Sequence, residues 1–231
     1  MELLPLIGVL IVILGFALKF ENILIIMLAV IVTGVIGWGT GRIASFQAIF
    51  EILGRTFVAN RGMCIFIIVF FVTGTLERNG LKEVAAKLIA KIKNATAGLV
   101  VGAYGVLRLV LAAFNVSLGG SAGFVRPIIV PMAIGAIEAK HGEPNEEHVE
   151  EIKGMGAGME NVTWFFGQVL FIGGAGGLLV QSTLKNLGYE TSLAELAAVE
   201  IPVAIFALIV AGIVYFLKDR RLSKKLYPNK K

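Results

Sequence analysis

Charge is scarce in this chain of 231 residues, where Asp, Glu, Lys and Arg together make up 16%. Ordinary soluble domains carry about 25%. So few charges cannot cover a water-facing surface, and with 57% hydrophobic residues they exclude a disordered chain as well. Cysteine is almost missing. The one present, Cys64, cannot form an internal disulfide and excludes a disulfide scaffold; in its apolar surroundings it reads as a small core residue. Histidine is limited to His141 and His148, seven residues apart in a polar loop, and both read as solvated. The chain also lacks a phosphate-binding loop, a zinc-ligand spacing and a nucleophile elbow. It therefore reads as neither an ATPase nor a hydrolase, with no catalytic residues, no metal site and no resident cofactor.

What it has instead is apolar sequence gathered into runs, with a mean hydropathy of +0.84. The runs are Leu3–Leu18, Ile23–Trp38, Met63–Leu76, Ala95–Phe114, Phe124–Ala139, Val162–Leu184 and Ala197–Leu217. At about 20 residues per crossing, this predicts an all-α, polytopic integral membrane protein of six or seven transmembrane helices. The chain is expected to form one domain over residues 1–231, with no separate soluble part. The first run follows Glu2 and has neither a basic leader nor a small-residue cleavage site, so it reads as a retained helix. Some runs are short enough to be broken or re-entrant.

Two further stretches are amphipathic. Leu81, Val84, Ala85, Leu88, Ile89 and Ile92 recur at helical spacing opposite Lys82, Glu83, Lys87 and Lys91. Phe46, Ile49, Phe50, Leu53 and Phe57 do the same opposite Gln47, Glu51 and Arg55. Each reads either as a helix lying at the membrane interface or as an arm joining a moving part to a fixed one.

The basic residues give an orientation. With seven crossings, one side receives Lys19, Arg78, Lys82, Lys87, Lys91, Lys93, Lys140, Lys153 and the basic tail of residues 218–231. The other receives Arg42, Arg55, Arg61 and Lys185. Positive residues stay cytoplasmic, so the expectation is a prokaryotic inner-membrane protein with its N-terminus outside and its C-terminus inside. The net charge of +5 then marks flanks of apolar segments, with no nucleic-acid partner.

Glycine is the other abundance, at 28 residues, well above the usual ~7%. Much of it falls beside the few polar residues within apolar runs. Asn115-Val116-Ser117-Leu118-Gly119-Gly120-Ser121 interrupts the pattern before a helix resumes near Phe124–Pro127. Broken backbone at such depth survives only when buried or lining a wet cavity. A restarting helix points free N–H groups into that cavity, and Arg126 adds a fork suited to a carboxylate. Either this is an anion-binding site, or it is an external loop with Arg126 at headgroup level. Arg108, enclosed by Val106–Ala113, needs a carboxylate or a cavity, and Glu160 is its expected partner unless another subunit supplies one. A structural ion pair and a ligand contact both fit.

A second cluster runs from Glu160 and Asn161 to Gly167 and Gln168. Asn161 and Gln168 stack on one helix face. Their amides could read a ligand, Gly167 would leave room beside Glu160, and Glu160 could carry a proton or help hold Na⁺. The same residues could equally be helix–helix hydrogen bonds. Gly173-Gly174-Ala175-Gly176-Gly177 comes next, and reads as a helix break in preference to close packing. Two interrupted segments beside polar residues point to a midplane transporter site. The candidate substrate-binding set is Asn115, Ser117, Gly119, Gly120, Ser121, Arg126, Asn161 and Gln168, with Glu160 coupling the ion and Arg108 as an intramembrane charge.

Leu118-Gly119-Gly120, Phe124-Val125-Arg126-Pro127, Pro131-Met132, Glu160-Asn161 and Phe165-Phe166-Gly167-Gln168 also resemble the bacterial membrane family called "domain of unknown function 969". Leu4-Pro5-Leu6-Ile7-Gly8, Leu76-Glu77-Arg78 and the ending Asp219-Arg220-Arg221 fit the same pattern. The resemblance implies one subunit of a two-component secondary transporter for a small carboxylate, 5-oxoproline (pyroglutamate), driven by Na⁺ or H⁺. It implies a second membrane subunit from the sister family "domain of unknown function 979". The alternative role is a membrane scaffold or regulatory subunit whose partner performs the transport.

Overall fold

A computed structural model describes residues 4–59, 61–92 and 95–228. Glu2, Lys93, Lys230 and Lys231, which bear on the topology, lie outside the described residues. Every regular element described is helical, and the chain is an all-α membrane protein. It divides into two compact units, Met1–Arg61 and Gly62–Lys231.

The first unit holds α1 (Ile7–Ala17), α2 (Asn22–Gly39) and α3 (Phe46–Ala59). A tight connection with Lys19 at φ 58° turns α1 into α2, and Glu21 caps α2 by accepting a hydrogen bond from the Ile23 amide. The aromatic stripe of α3 does form on a helix, yet of its members only Ile49 is buried. Phe46, Phe50 and Phe57 stay exposed.

The second unit holds α4 (Ile65–Arg78), α5 (Leu81–Ala90), α6 (Ala97–Ala113), a wide-turned π-helical segment Ser121–Ile129 continuing into α7 (Val130–His141), α8 (Glu146–Gln168), α9 (Ala175–Asn186) and α10 (Leu193–Leu226). Local signals fix the starts. Thr96 caps α6 through the Leu99 amide, and Asn145 caps α8 through the Glu147 amide. Ser192 and Glu195 form a reciprocal capping box on α10.

Helices α6, α8 and α10 make the core. The first two run side by side in one direction, because Tyr104 and Arg108 meet Glu160 while Leu109 and Ala112 meet Gly167. A Cβ on Gly167 would sit 2.5 Å from that of Ala112. Gly167 therefore permits close helix packing, and the space expected beside Glu160 is not there. Helix α10 returns alongside, bringing Leu208 against Gly105. Its outer face leaves Val199, Phe206 and Ile213 exposed, as a lipid-facing surface requires.

Among the described residues, three helices are long and apolar enough to cross a membrane: Asn22–Gly39, Ser121–His141 and Leu193–Leu226. The run Val162–Leu184 is divided at residues 169–174, a break that takes in Gly173 and Gly174, while Gly176 and Gly177 fall inside α9. Cys64 is exposed, contrary to its reading as a core residue. Helix α5 divides its apolar stripe: Ala85 and Ile89 are buried in the same cluster as Val101, Tyr104 and Phe124, while Val84 and Leu88 stay exposed.

The expectation of solvated histidines fails. His148 is fully buried, with Nε2 3.0 Å from Asp219 Oδ1, and the Gly98 amide donates to Asp219 Oδ2 at 2.9 Å. His141 is also buried and stacks on the Tyr227 ring. The signal was the helix that Asn145 starts: it turns His148 inward, where the tail of α10 meets it. These contacts gather the starts of α6 and α8 and the end of α10 at one end of the bundle.

Candidate functional site

Two polar places stand out in the apolar second unit. The first centres on Glu160, midway along α8. Arg108, one helix turn after Tyr104 on α6, donates from Nε to Glu160 Oε2 at 2.8 Å, and the Tyr104 hydroxyl donates to the same oxygen. Arg108 and Glu160 are 1% and 5% exposed. Such a pair is costly in low dielectric unless further interactions support it. Arg108 Nη1 donates to the Val116 carbonyl at 3.1 Å, and its guanidinium lies 4.4 Å over the Trp164 ring, one turn along α8 from Glu160.

The segment after α6 folds back to supply that carbonyl. Asn115 takes φ 56°, and Gly119 and Gly120 take φ 90° and 64°. Glycine adopts this left-handed region at little cost. Ser117 Oγ accepts the Gly119 amide at 3.0 Å. The chain then enters the π-helical segment at Ser121, whose inward face is Phe124, Val125 and Ile129. A Cβ on Gly120 would lie 3.8 Å from Glu160 Oε1, and one on Gly119 would lie 3.3 Å from Lys82 Nζ. The helix start thus sits between the Glu160 carboxylate and the Lys82 ammonium.

The second place is a cavity of about 510 Å³ beside the break between α8 and α9. Asn115, Gln168, Glu200 and the glycines 174, 176 and 177 line it, with Val169, Ile172 and Leu196 among its apolar walls. Among the described residues, no lysine or arginine lines it. Among the described residues, no group of His, Cys, Asp and Glu has the arrangement of a metal site.

A family model described as "Protein of unknown function (DUF969)" matches residues 3–223. The chain belongs to this family. No curated protein and no solved structure matches the chain.

In this DUF969 chain the candidate residues separate. Arg108 and Glu160 meet as expected, but Glu160 is neutralised by Arg108 and Tyr104, which leaves it poorly placed to take up a coupling cation. Gly119, Gly120 and Ser121 border this hub, and Ser117 acts on the turn itself. Asn115 and Gln168 share the cavity. Arg126 and Asn161 join neither place, since both are exposed. Arg126 falls on the face of the π-helical segment opposite Phe124, because Phe124 and Val125 take the inward positions. Four residues at these two places are not among the sequence-predicted site residues. Tyr104 and Trp164 lie four positions from Arg108 and Glu160, on the same helix faces, and that spacing could have found them. Glu200 is an acidic residue within the run Ala197–Leu217 and was legible on that ground alone. Lys82 gave no signal beyond its place on an amphipathic helix.

Proposed function

We propose that this DUF969 chain is one subunit of a secondary transporter for a small organic carboxylate, 5-oxoproline, driven by Na⁺ or H⁺. Its complement is a second membrane subunit of the sister family "domain of unknown function 979". The protein resides in a prokaryotic inner membrane with its N-terminus outside and its C-terminus inside. The observation that carries this reading is the helix restarting at Ser121, inside an apolar bundle, between a buried charge hub and the Lys82 ammonium. Free N–H groups at a helix start and a nearby ammonium hold a carboxylate. The second interruption, at residues 169–174, borders a cavity lined by polar side chains within the apolar bundle, and two such interruptions are a feature of carriers with a midplane site. Arg126, on the exposed face, fits a contact with the partner subunit better than one with substrate.

The test is uptake of labelled 5-oxoproline into proteoliposomes containing both subunits. Accumulation driven by an inward Na⁺ or proton gradient is expected; no uptake under either gradient defeats the substrate assignment. One observation favours the scaffold role: Glu160 is bonded by Arg108 and Tyr104 of this same chain, as a purely structural ion pair would be. Photo-crosslinking separates the two. A 5-oxoproline analogue attaching to this chain supports the carrier role, and one attaching only to the partner supports the scaffold.

A further inference from the structure

With Glu160 bound to Arg108 and Tyr104, the coupling cation lacks a ligand at the hub. Glu200 meets that need elsewhere. It stands on α10 within an apolar stretch, lines the cavity, and makes no hydrogen bond or ion pair among the described residues. The other polar side chains at the cavity are oxygen-bearing and uncharged, and the start of α9 brings backbone N–H groups to its edge. Gln168, the last residue of α8, and Asn115 supply side-chain amides. Val169 and Ile172 belong to the turn at the break, and no backbone amide among the described residues donates to their carbonyls. The carbonyl end of a helix carries the negative pole of its dipole, and the end of α8 faces the same space. The start of α9 opposes the end of α8 at this cavity with a similar partial charge, so the full charge of the unpaired carboxylate, with two amides and no basic side chain among the described lining residues, leaves a site of negative potential. Hard monovalent cations are held by oxygen ligands of this kind, often where a helix is broken.

We propose that this cavity binds one monovalent positive charge, a sodium ion or a proton, with Glu200 as its charged ligand and Gln168 and Asn115 as neutral ones. Its meaning as the coupling site rests on the carrier reading, but the binding itself is measurable without any organic substrate.

The full chain in lipid nanodiscs is titrated with NaCl, with choline chloride as the ionic-strength control, and its thermal unfolding midpoint is followed. Saturable stabilisation by Na⁺ alone assigns a sodium site. Glu200→Gln should then raise the half-saturating concentration at least tenfold, Gln168→Leu by a smaller factor, and the exposed Glu190→Gln should leave it unchanged. If Na⁺ and choline act alike, pH-difference infrared spectra decide for the proton: the wild type should show a protonated carboxyl band that Glu200→Gln removes. Glu200→Asp, which keeps the charge, serves as the folding control and should retain the signal. No Na⁺-specific stabilisation together with no Glu200-dependent carboxyl band overturns the proposal, as does either signal persisting unchanged in Glu200→Gln. In proteoliposomes, uptake with unchanged ion dependence in Glu200→Gln overturns this site and leaves the carrier intact. Ion binding without 5-oxoproline uptake does the reverse.

Discussion

The hub around Glu160 and the cavity around Glu200 each place one carboxylate inside an apolar bundle, and they treat it in opposite ways. Glu160 is 5% exposed and closed in by a guanidinium and a phenol. Glu200 faces about 510 Å³ of space without a counter-charge. A carboxylate that the chain itself neutralises has its charge already used in holding helices together. One left unpaired at the edge of a cavity keeps its charge for something that enters. The contrast assigns architecture to the first and chemistry to the second, and it can be broken by experiment.

The largest effect is expected at the hub. Arg108→Ala leaves Glu160 buried without its partner, which costs roughly 3–5 kcal/mol. A fall in denaturation midpoint or a loss of monodisperse protein would show it; a stable variant would mean that Glu160 is wet. Pairing Arg108→Met with Glu160→Leu should recover much of that loss, because removing both charges also removes the desolvation penalty. A double-mutant cycle measures the recovery. Next comes close packing: Gly167→Leu must displace Ala112 and Leu109, at a cost of about 1–3 kcal/mol, and chemical denaturation reads it. At Lys82 the effect should fall on function. Lys82→Ala is expected to raise the KM for 5-oxoproline about tenfold with little change in stability, since Lys82 is only partly buried. Smallest of all, Glu200→Gln should change the unfolding free energy in Na⁺-free buffer by less than about 0.5 kcal/mol. A large destabilisation there would make Glu200 a structural residue like Glu160.

The sequence already contained the pairing of Arg108 with Glu160, because a lone arginine among Val106, Leu107, Leu109 and Val110 has to find a carboxylate and few exist at that depth. Both helix interruptions were equally legible from Gly119-Gly120 and from Gly173–Gly177. The facing of individual side chains was harder to read. Arg126 is expected at the site for its fork beside a restarting helix, and Asn161 for the helix face it shares with Gln168, yet both are exposed. One extra residue per turn in a π-helical segment rotates the side chains downstream of it, and this one presents Phe124 and Val125 inward, leaving Arg126 outside. The histidines show a different limit. A loop rich in Glu and Lys looks solvated, but His148 lies on the inward face of α8 and Asp219 arrives from 71 positions away. Contacts of that range leave no mark in local composition.

That His148–Asp219–Gly98 contact has a mechanical side. It pins the starts of α6 and α8 to the tail of α10, aided by Lys225–Glu147 at 2.7 Å and by Tyr227, whose hydroxyl accepts the Asn145 amide. Helix α8 extends from this clamp for 23 residues, about 35 Å at 1.5 Å per residue, and the break at 169–174 lies at its opposite tip. The hub holds α8 to α6 again at Glu160, and Gly167 packs against Ala112 one residue before the helix ends. The two helices therefore form one braced strut, and the first backbone beyond the bracing is the break that borders the cavity.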